Sequence, residues 1–257
     1  MPGNEVETTG FLIENINKIS LPHLGLIKKI ESPTAYGPIA LNSVSDLYRV
    51  VTEDAEKKAD ILINGVGVSL KQSGGSFPFN RLQRAEMLSV FKYLNFNNPD
   101  AVFENFDRQV KNFHDGLLNG RSRPWQEFMS EDDFYTLTKF LMTTGSPNKG
   151  ISSYPAELIL ESPKENISVD NIKVYTFDEY FNTNLNNITI SIRRQWYGQL
   201  SNSEHNRCRA IMSKPDNRPW VFKEITGSPK PREGKIWRTE IPESERREVY
   251  FIMLEKH

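Results

Sequence analysis

The chain has 257 residues, a quarter of them charged, and a formal net charge of −1. That length sustains one large domain with a substantial core, and the near-neutral balance excludes a global field that recruits polyanions, so nucleic-acid contacts must come from local patches. No apolar run approaches the roughly 20 residues of a membrane span. The single Cys208 excludes an internal disulfide framework. The opening Met1-Pro2-Gly3-Asn4-Glu5 lacks the basic and apolar pattern of a secretory signal, and a cytoplasmic protein is expected.

In chain order, Phe11, Ile13, Ile16, Ile19 and Leu21 form an imperfect apolar stripe that predicts a helix from Glu5 to Leu26, ended by Pro22 and Gly25. Ser32-Pro33 and Gly37-Pro38 mark residues 31–40 as a loop. Ser43 caps a predicted helix from Val44 to about Lys57, which carries Glu53, Asp54 and Glu56. Then comes Ala59-Asp60-Ile61-Leu62-Ile63-Asn64-Gly65-Val66-Gly67-Val68-Ser69-Leu70-Lys71. Asn-Gly between apolar runs is a strong hairpin signal, because a two-residue type I′ turn needs positive φ at both positions. With the turn at Asn64-Gly65, Ile63 pairs with Val66 and Asp60 lies opposite Ser69. Lys71 falls one diagonal step further on the same face, about 7–8 Å from its neighbour across the pair. Ile61, Val68 and Leu70 take the other, buried face. An acid, a hydroxyl and an amine thus converge; the competing reading of this trio is a structural Asp–Lys ion pair.

The stretch that follows, Gln72 to Arg84, is small, polar and rich in donors, with Gln72, Ser73, Ser76, Asn80, Arg81 and Arg84 available to phosphate oxygens. Asn80 is a cap for a predicted helix from Arg81 to about Asn95. Arg81 and Arg84 would then sit in its first turn, where cations oppose the helix dipole and call for an anionic partner, DNA phosphate or a nearby acid. Ala101 to about Leu118 is a further predicted helix. Ser130-Glu131-Asp132-Asp133 opens another, to about Met142. From Tyr154 onward short strands are expected at 157–160, 172–175, 188–194, 209–213, 220–225 and 249–254, with a short helix near 176–181. The whole reads as a single α/β (mixed α+β) domain, a central mixed β-sheet flanked by helices. Residues 43–95 hold the hairpin, 96–150 a helical layer, and 151–257 a strand-rich part.

A second cluster lies in that last part: Arg193, Arg194, Gln195, Tyr197, Ser201, Asn202, His205 and Arg207 mix side chains that read base edges, Arg to guanine and Asn or Gln to adenine. Between Arg193 and Arg238 eleven Lys and Arg face four Asp and Glu. Such a local excess is the electrostatic footprint of a duplex-binding face. Ordinary solvated charges on a polar loop are the alternative.

The hairpin resembles the PD-(D/E)xK nuclease core of type II restriction endonucleases. Asp60 matches the acid that opens one strand, and Ser69-Leu70-Lys71 matches the (D/E)-x-K triplet on the next. Lys58-Ala59 stands before Asp60 where the motif has Pro, and Ser69 replaces the second acid. The resemblance implies a restriction-endonuclease-like core that hydrolyses double-stranded DNA with Mg²⁺. Asp60 and the Leu70 carbonyl would hold the metal, Lys71 would orient the attacking water or stabilise charge, and Ser69 would bind a water. With one acid missing, either a single metal or a further ligand from Glu53 is expected. A sequence-specific enzyme, possible as a homodimer and with no membrane partner, is the leading expectation. A repair or mobile-element nuclease with the same core is the near alternative. A non-catalytic nucleic-acid-binding protein and a small-molecule phosphotransferase stand further off. Dinucleotide, Walker, zinc-protease and hydrolase-elbow motifs are absent from the sequence.

Overall fold

The computed structural model describes residues 4–49, 57–74, 81–114, 117–118, 122–146, 150–195 and 249–257. The chain begins with helix α1 (Asn4–Glu14), strands β1 (Ser20–Leu21), β2 (Gly25–Leu26), β3 (Ile30–Ser32) and β4 (Ile39–Ala40), and helix α2 (Val44–Arg49). Strands β5 (Ile61–Ile63), β6 (Val66–Gln72) and β7 (Arg81–Gln83) lead to helices α3 (Arg84–Tyr93) and α4 (Pro99–His114). Strand β8 (Ser122–Pro124) precedes helix α5 (Glu131–Lys139), which runs into a π-turn over Phe140–Thr144. Strands β9 (Gly145–Ser146), β10 (Gly150–Ile151), β11 (Leu158–Ser162) and β12 (Lys173–Thr176), helix α6 (Phe177–Asn184), and strands β13 (Ile188–Gln195) and β14 (Val249–Lys256) complete the order. Among the described residues no helix is long and apolar enough to cross a membrane.

Two compact units result. The first comprises Met1–Phe77, Glu131–Ile188 and Lys256–His257; the second comprises Pro78–Ser130 and Thr189–Glu255. The first unit is built on a six-stranded mixed sheet in the order β12-β11-β6-β5-β3-β4. Only β6 and β11 run parallel, which requires a long crossover. Here the crossover contains the α5 segment. Leu12 and Ile13 of α1 pack with Ile61, Ile63, Val68, Leu70, Leu158 and Leu160 in one apolar cluster, so α1 covers that face of the sheet. The second unit holds the sheet β7-β14-β13-β8 with α3 and α4. Phe91, Phe96, Phe106 and Phe128 stack in its core, with ring centroids 4.5 to 5.9 Å apart.

Several expectations are corrected. The first helix stops at Glu14 instead of continuing to Leu26: Asn17 and His23 adopt φ of 62°, and Ile19 and Leu21 are buried through the β1–β2 hairpin. Part of the expected loop 31–40 is strand, since β3 pairs with both β4 and β5. Arg81 lies on β7, paired with β14, so α3 begins at Arg84 and not at Arg81. The helical layer expected over 96–150 is divided, α4 belonging to the second unit and α5 to the first. The strands expected at 209–213 and 220–225 lie outside the described residues.

Candidate active site

The Asn64-Gly65 turn sets the geometry of everything around it. Both residues have positive φ, 53° and 87°, as a type I′ turn requires. The register is Ile63↔Val66, Leu62↔Gly67 and Ile61↔Val68, and the Asp60 N–H donates to the Val68 carbonyl at 2.9 Å. The paired register ends at Ile61↔Val68: Asp60 lies at a bend just beyond it, with its N–H on the same Val68 carbonyl, and not in the ladder pair with Ser69 that the sequence predicts. The Asn64 side chain also pins the neighbouring hairpin. It donates to the carbonyls of Leu24 and Leu26 and accepts from the N–H groups of Lys28 and Lys29.

Asp60 Oδ2 accepts two hydrogen bonds, from the Leu70 N–H at 2.7 Å and from Ser69 Oγ at 3.2 Å. Ser69 is buried, and its hydroxyl orients the acid. Ala59 would face Leu70 if the ladder continued, but its N–H goes to the Tyr154 carbonyl at 2.9 Å instead. A strand residue's N–H and C=O point to the same side, so the Leu70 carbonyl is turned toward Asp60. Among the described residues no hydrogen bond reaches Asp60 Oδ1, and no ion pair joins Asp60 to Lys71.

Lys71 is half-buried on the face shared by Ser69. Across the parallel pairing it stands level with Glu161 of β11. Glu161 is buried and already engaged: Tyr180 donates its hydroxyl to Oε1 at 3.0 Å, and Lys256 Nζ lies 2.7 Å from the same oxygen. Burial, reinforced by that carboxylate, holds the Tyr180 hydroxyl far above the usual phenol range.

Two further groups come to this end of the sheet. Glu5 projects from the first turn of α1 on the stripe of Thr8 and Leu12, both fully buried. Thr8 Oγ1 lies 2.6 Å from Ser162 Oγ of β11 and so fixes the helix on the sheet. Burial raises the Glu5 carboxyl above its ordinary value; the Asp60 carboxylate raises it further, and the Lys71 ammonium opposes them. Lys58 precedes Asp60 by two residues, and its half-buried ammonium donates to the Leu141 carbonyl in the π-turn at 2.7 Å. Burial first, then the nearby Lys71 charge, lowers Lys58 to about 8, with Asp60 opposing. The 152–157 segment clamps this strand entry: Lys58 N–H bonds to the Tyr154 carbonyl and to Ser152 Oγ. Gly67 admits the Pro155 carbonyl where any Cβ would collide with it.

The other residues singled out in the sequence divide into three groups. Gln72 and Ser73 are exposed at the end of β6, where Ser73 N–H bonds to the Ser162 carbonyl at 2.8 Å. Arg84, expected at a phosphate, instead forms a two-pronged pair with Asp107, Nε to Oδ1 at 2.8 Å and Nη2 to Oδ2 at 2.7 Å, and is 9% exposed. Arg81 is exposed on β7. Glu53, Ser76, Asn80, Tyr197, Ser201, Asn202, His205 and Arg207 lie outside the described residues, as do the side chains of Arg193, Arg194 and Gln195 on β13.

Glu5 is the acid that sequence reasoning missed. The chain matches no family model, no curated protein and no solved structure. Among the described residues no three His, Cys, Asp or Glu side chains gather as a metal cage. Mg²⁺ does not need such a cage, because it is commonly held by one or two carboxylates with waters and substrate phosphate. Asp60 and Glu5 are carboxylates that feel each other's charge, and the Leu70 carbonyl is a further oxygen on the strand whose N–H binds Asp60.

Proposed function

We propose that this protein is a Mg²⁺-dependent endonuclease that cleaves double-stranded DNA at specific sequences, in the manner of a type II restriction enzyme. The observation that carries this reading is the pairing of Asp60 and Lys71 at one end of the sheet with no ion pair between them. A structural role for this acid and amine predicts mutual neutralisation. A catalytic role predicts that each keeps its charge for a third party. The central mixed sheet with flanking helices, and the match of Asp60 and Ser69-Leu70-Lys71 to the nuclease motif, support the same reading.

Asp60 would hold Mg²⁺, with Glu5 supplying the acid that Ser69 does not and the Leu70 carbonyl completing the protein's share. Bound there, Mg²⁺ supplies a water of lowered pKa and offsets charge on the phosphate. Ser69 and the Leu70 N–H lock the Asp60 rotamer, so the carboxylate is held in place before substrate arrives. The Lys71 ammonium binds a non-bridging phosphate oxygen, where charge accumulates as the attacking oxygen adds. The Arg193–Arg238 charge excess supports a duplex as the substrate, and its Asn, Gln and Arg side chains support sequence selection.

The test is incubation of the purified protein with mixed-sequence duplex DNA and Mg²⁺. Discrete fragments that disappear in Asp60→Asn, a substitution that retains an acceptor for the Leu70 N–H, are the expected outcome. An intact duplex, bound equally well with and without Mg²⁺, would replace the enzyme with a non-catalytic DNA-binding protein.

A further inference from the structure

Glu161 of β11 has a lysine level with it on each neighbouring strand and pairs with neither. The parallel register sets it beside Lys71 of β6, and the antiparallel register sets it beside Lys173 of β12. All three side chains share one face of the sheet, because their chain neighbours Leu70, Leu160 and Val174 belong together to the apolar cluster on the other. Neighbouring strands lie about 4.8 Å apart, so either ammonium group can reach a carboxylate directly across. Glu161 ion-pairs with Lys256 instead, at 2.7 Å.

Lys256 ends β14 and belongs, with His257, to the first unit. The His257 N–H donates to the Asn187 carbonyl at 3.0 Å and anchors the strand end, and the Lys256 ammonium stands 5.1 Å from the centre of the Tyr180 ring. Tyr180 is fully buried, donates its hydroxyl to the same Glu161 Oε1 at 3.0 Å, and meets Tyr175 of β12 edge-on. The two charged side chains are 16% and 9% exposed, and so buried an ion pair is weak support for a fold, because both partners give up hydration. Its effect on Lys71 is larger. An unmatched Glu161 would draw in a neighbouring cation. Lys71 is half-buried and has lost part of its water already, whereas Lys173 is exposed, so Lys71 gives up less by pairing. With Lys256 in place the carboxylate is already matched, and a second ammonium gains little from it.

We infer that Lys256 is a positioning residue: by holding Glu161 it keeps that carboxylate from capturing Lys71, so that the Lys71 ammonium stays available to a phosphate. The inference rests on the nuclease reading only for what Lys71 then binds. The release of Lys71 from Glu161 stands without it. The end of the C-terminal strand, remote from the motif in the chain, thereby completes the surroundings of the motif lysine.

Lysine acylation of the intact chain by a water-soluble acetylating ester, at fixed pH in EDTA and read residue by residue by mass spectrometry, tests this. In Lys256→Met, acylation of Lys71 is expected to fall about tenfold, because a carboxylate held against it favours the unreactive ammonium. The wild-type rate should return in Lys256→Met/Glu161→Gln and persist in Lys256→Arg. A purely structural pair predicts the opposite sign, since loosening this end of the sheet exposes Lys71. An unchanged or faster Lys71 in a folded Lys256→Met therefore overturns the proposal, as does protection that falls on Lys173 instead. Should Lys256→Met fail to fold, Lys256→Gln, which keeps a donor for Glu161 but no charge, carries the same comparison. Duplex cleavage with Mg²⁺ should follow the same order, slowed in Lys256→Met and recovered when Glu161→Gln is added. Protection of Lys71 in a protein that cuts no DNA keeps the role of Lys256 and removes the nuclease reading. Discrete DNA fragments from a protein whose Lys71 acylation is unmoved by Lys256→Met keep the nuclease and remove the role of Lys256.

Discussion

Arg84 in the second unit and Lys71 in the first are both basic residues that the sequence offers to DNA, and they end in opposite states. Arg84 is buried and its guanidinium is matched by two oxygens of Asp107. Lys71 is half-buried and meets no carboxylate at ion-pair distance among the described residues. The difference separates a charge used to hold the fold from a charge held ready. Burial alone does not distinguish them; what each charge faces does.

That contrast can be broken in four ways. Lys71→Met is expected to cut the rate of Mg²⁺-dependent DNA cleavage by about a thousandfold while leaving the thermal midpoint almost unchanged, since no partner is orphaned. A large loss of stability would make Lys71 structural after all. Asp107→Ala should do the reverse. It removes the two-pronged carboxylate from a buried guanidinium and costs about 3–5 kcal/mol in urea unfolding, with cleavage per folded molecule unchanged.

The third and fourth tests use pH and smaller effects. Lys58 titrates near 8 in the native state against an ordinary value of 10.5, so the unfolded chain binds the extra proton between those values. Stability should therefore rise from about pH 8 to pH 10.5, by roughly 2 kcal/mol after allowance for its partial exposure. Lys58→Met should flatten that rise. Glu5 runs the other way: its raised carboxyl binds a proton more tightly when folded. Its ionised form costs stability above the raised value, and that cost vanishes below the ordinary carboxylate range. Glu5→Gln is thus expected to stabilise the protein at neutral pH by less than about 1 kcal/mol after allowance for its partial exposure, an advantage absent at acid pH, while weakening the Mg²⁺ response. A destabilised Glu5→Gln would mean that the carboxylate is structurally paired.

What the sequence discloses follows the range of the forces involved. Asn64-Gly65 reveals the β5–β6 register because a two-residue turn and a period of two leave one alignment. The Asp60–Ser69 pair expected from it gives way to a bend at Asp60, whose carboxylate still reaches the Ser69 hydroxyl. Glu5 is invisible in the same way because packing of α1 on the sheet, not chain proximity, brings it to Asp60. Chain proximity points instead to Glu53, a few residues upstream of Asp60. Arg84 is misread because its partner Asp107 lies 23 residues further on, across the α3–α4 turn. The stripe assigned to one long helix was two signals in succession, since Ile19 and Leu21 are buried by a small hairpin whose turns use left-handed Asn and His.

The four-bonded side chain of Asn64 has a consequence for how the molecule ages. Asn followed by Gly is the pair most exposed to deamidation, because the unhindered glycine nitrogen can close a succinimide ring on the side-chain carbonyl. That closure needs the amide to swing toward its own backbone. Here both of its hydrogens and its oxygen are held by the 24–29 segment, so the turn that aligns the two strands is also shielded from its own chemical decay while the chain stays folded.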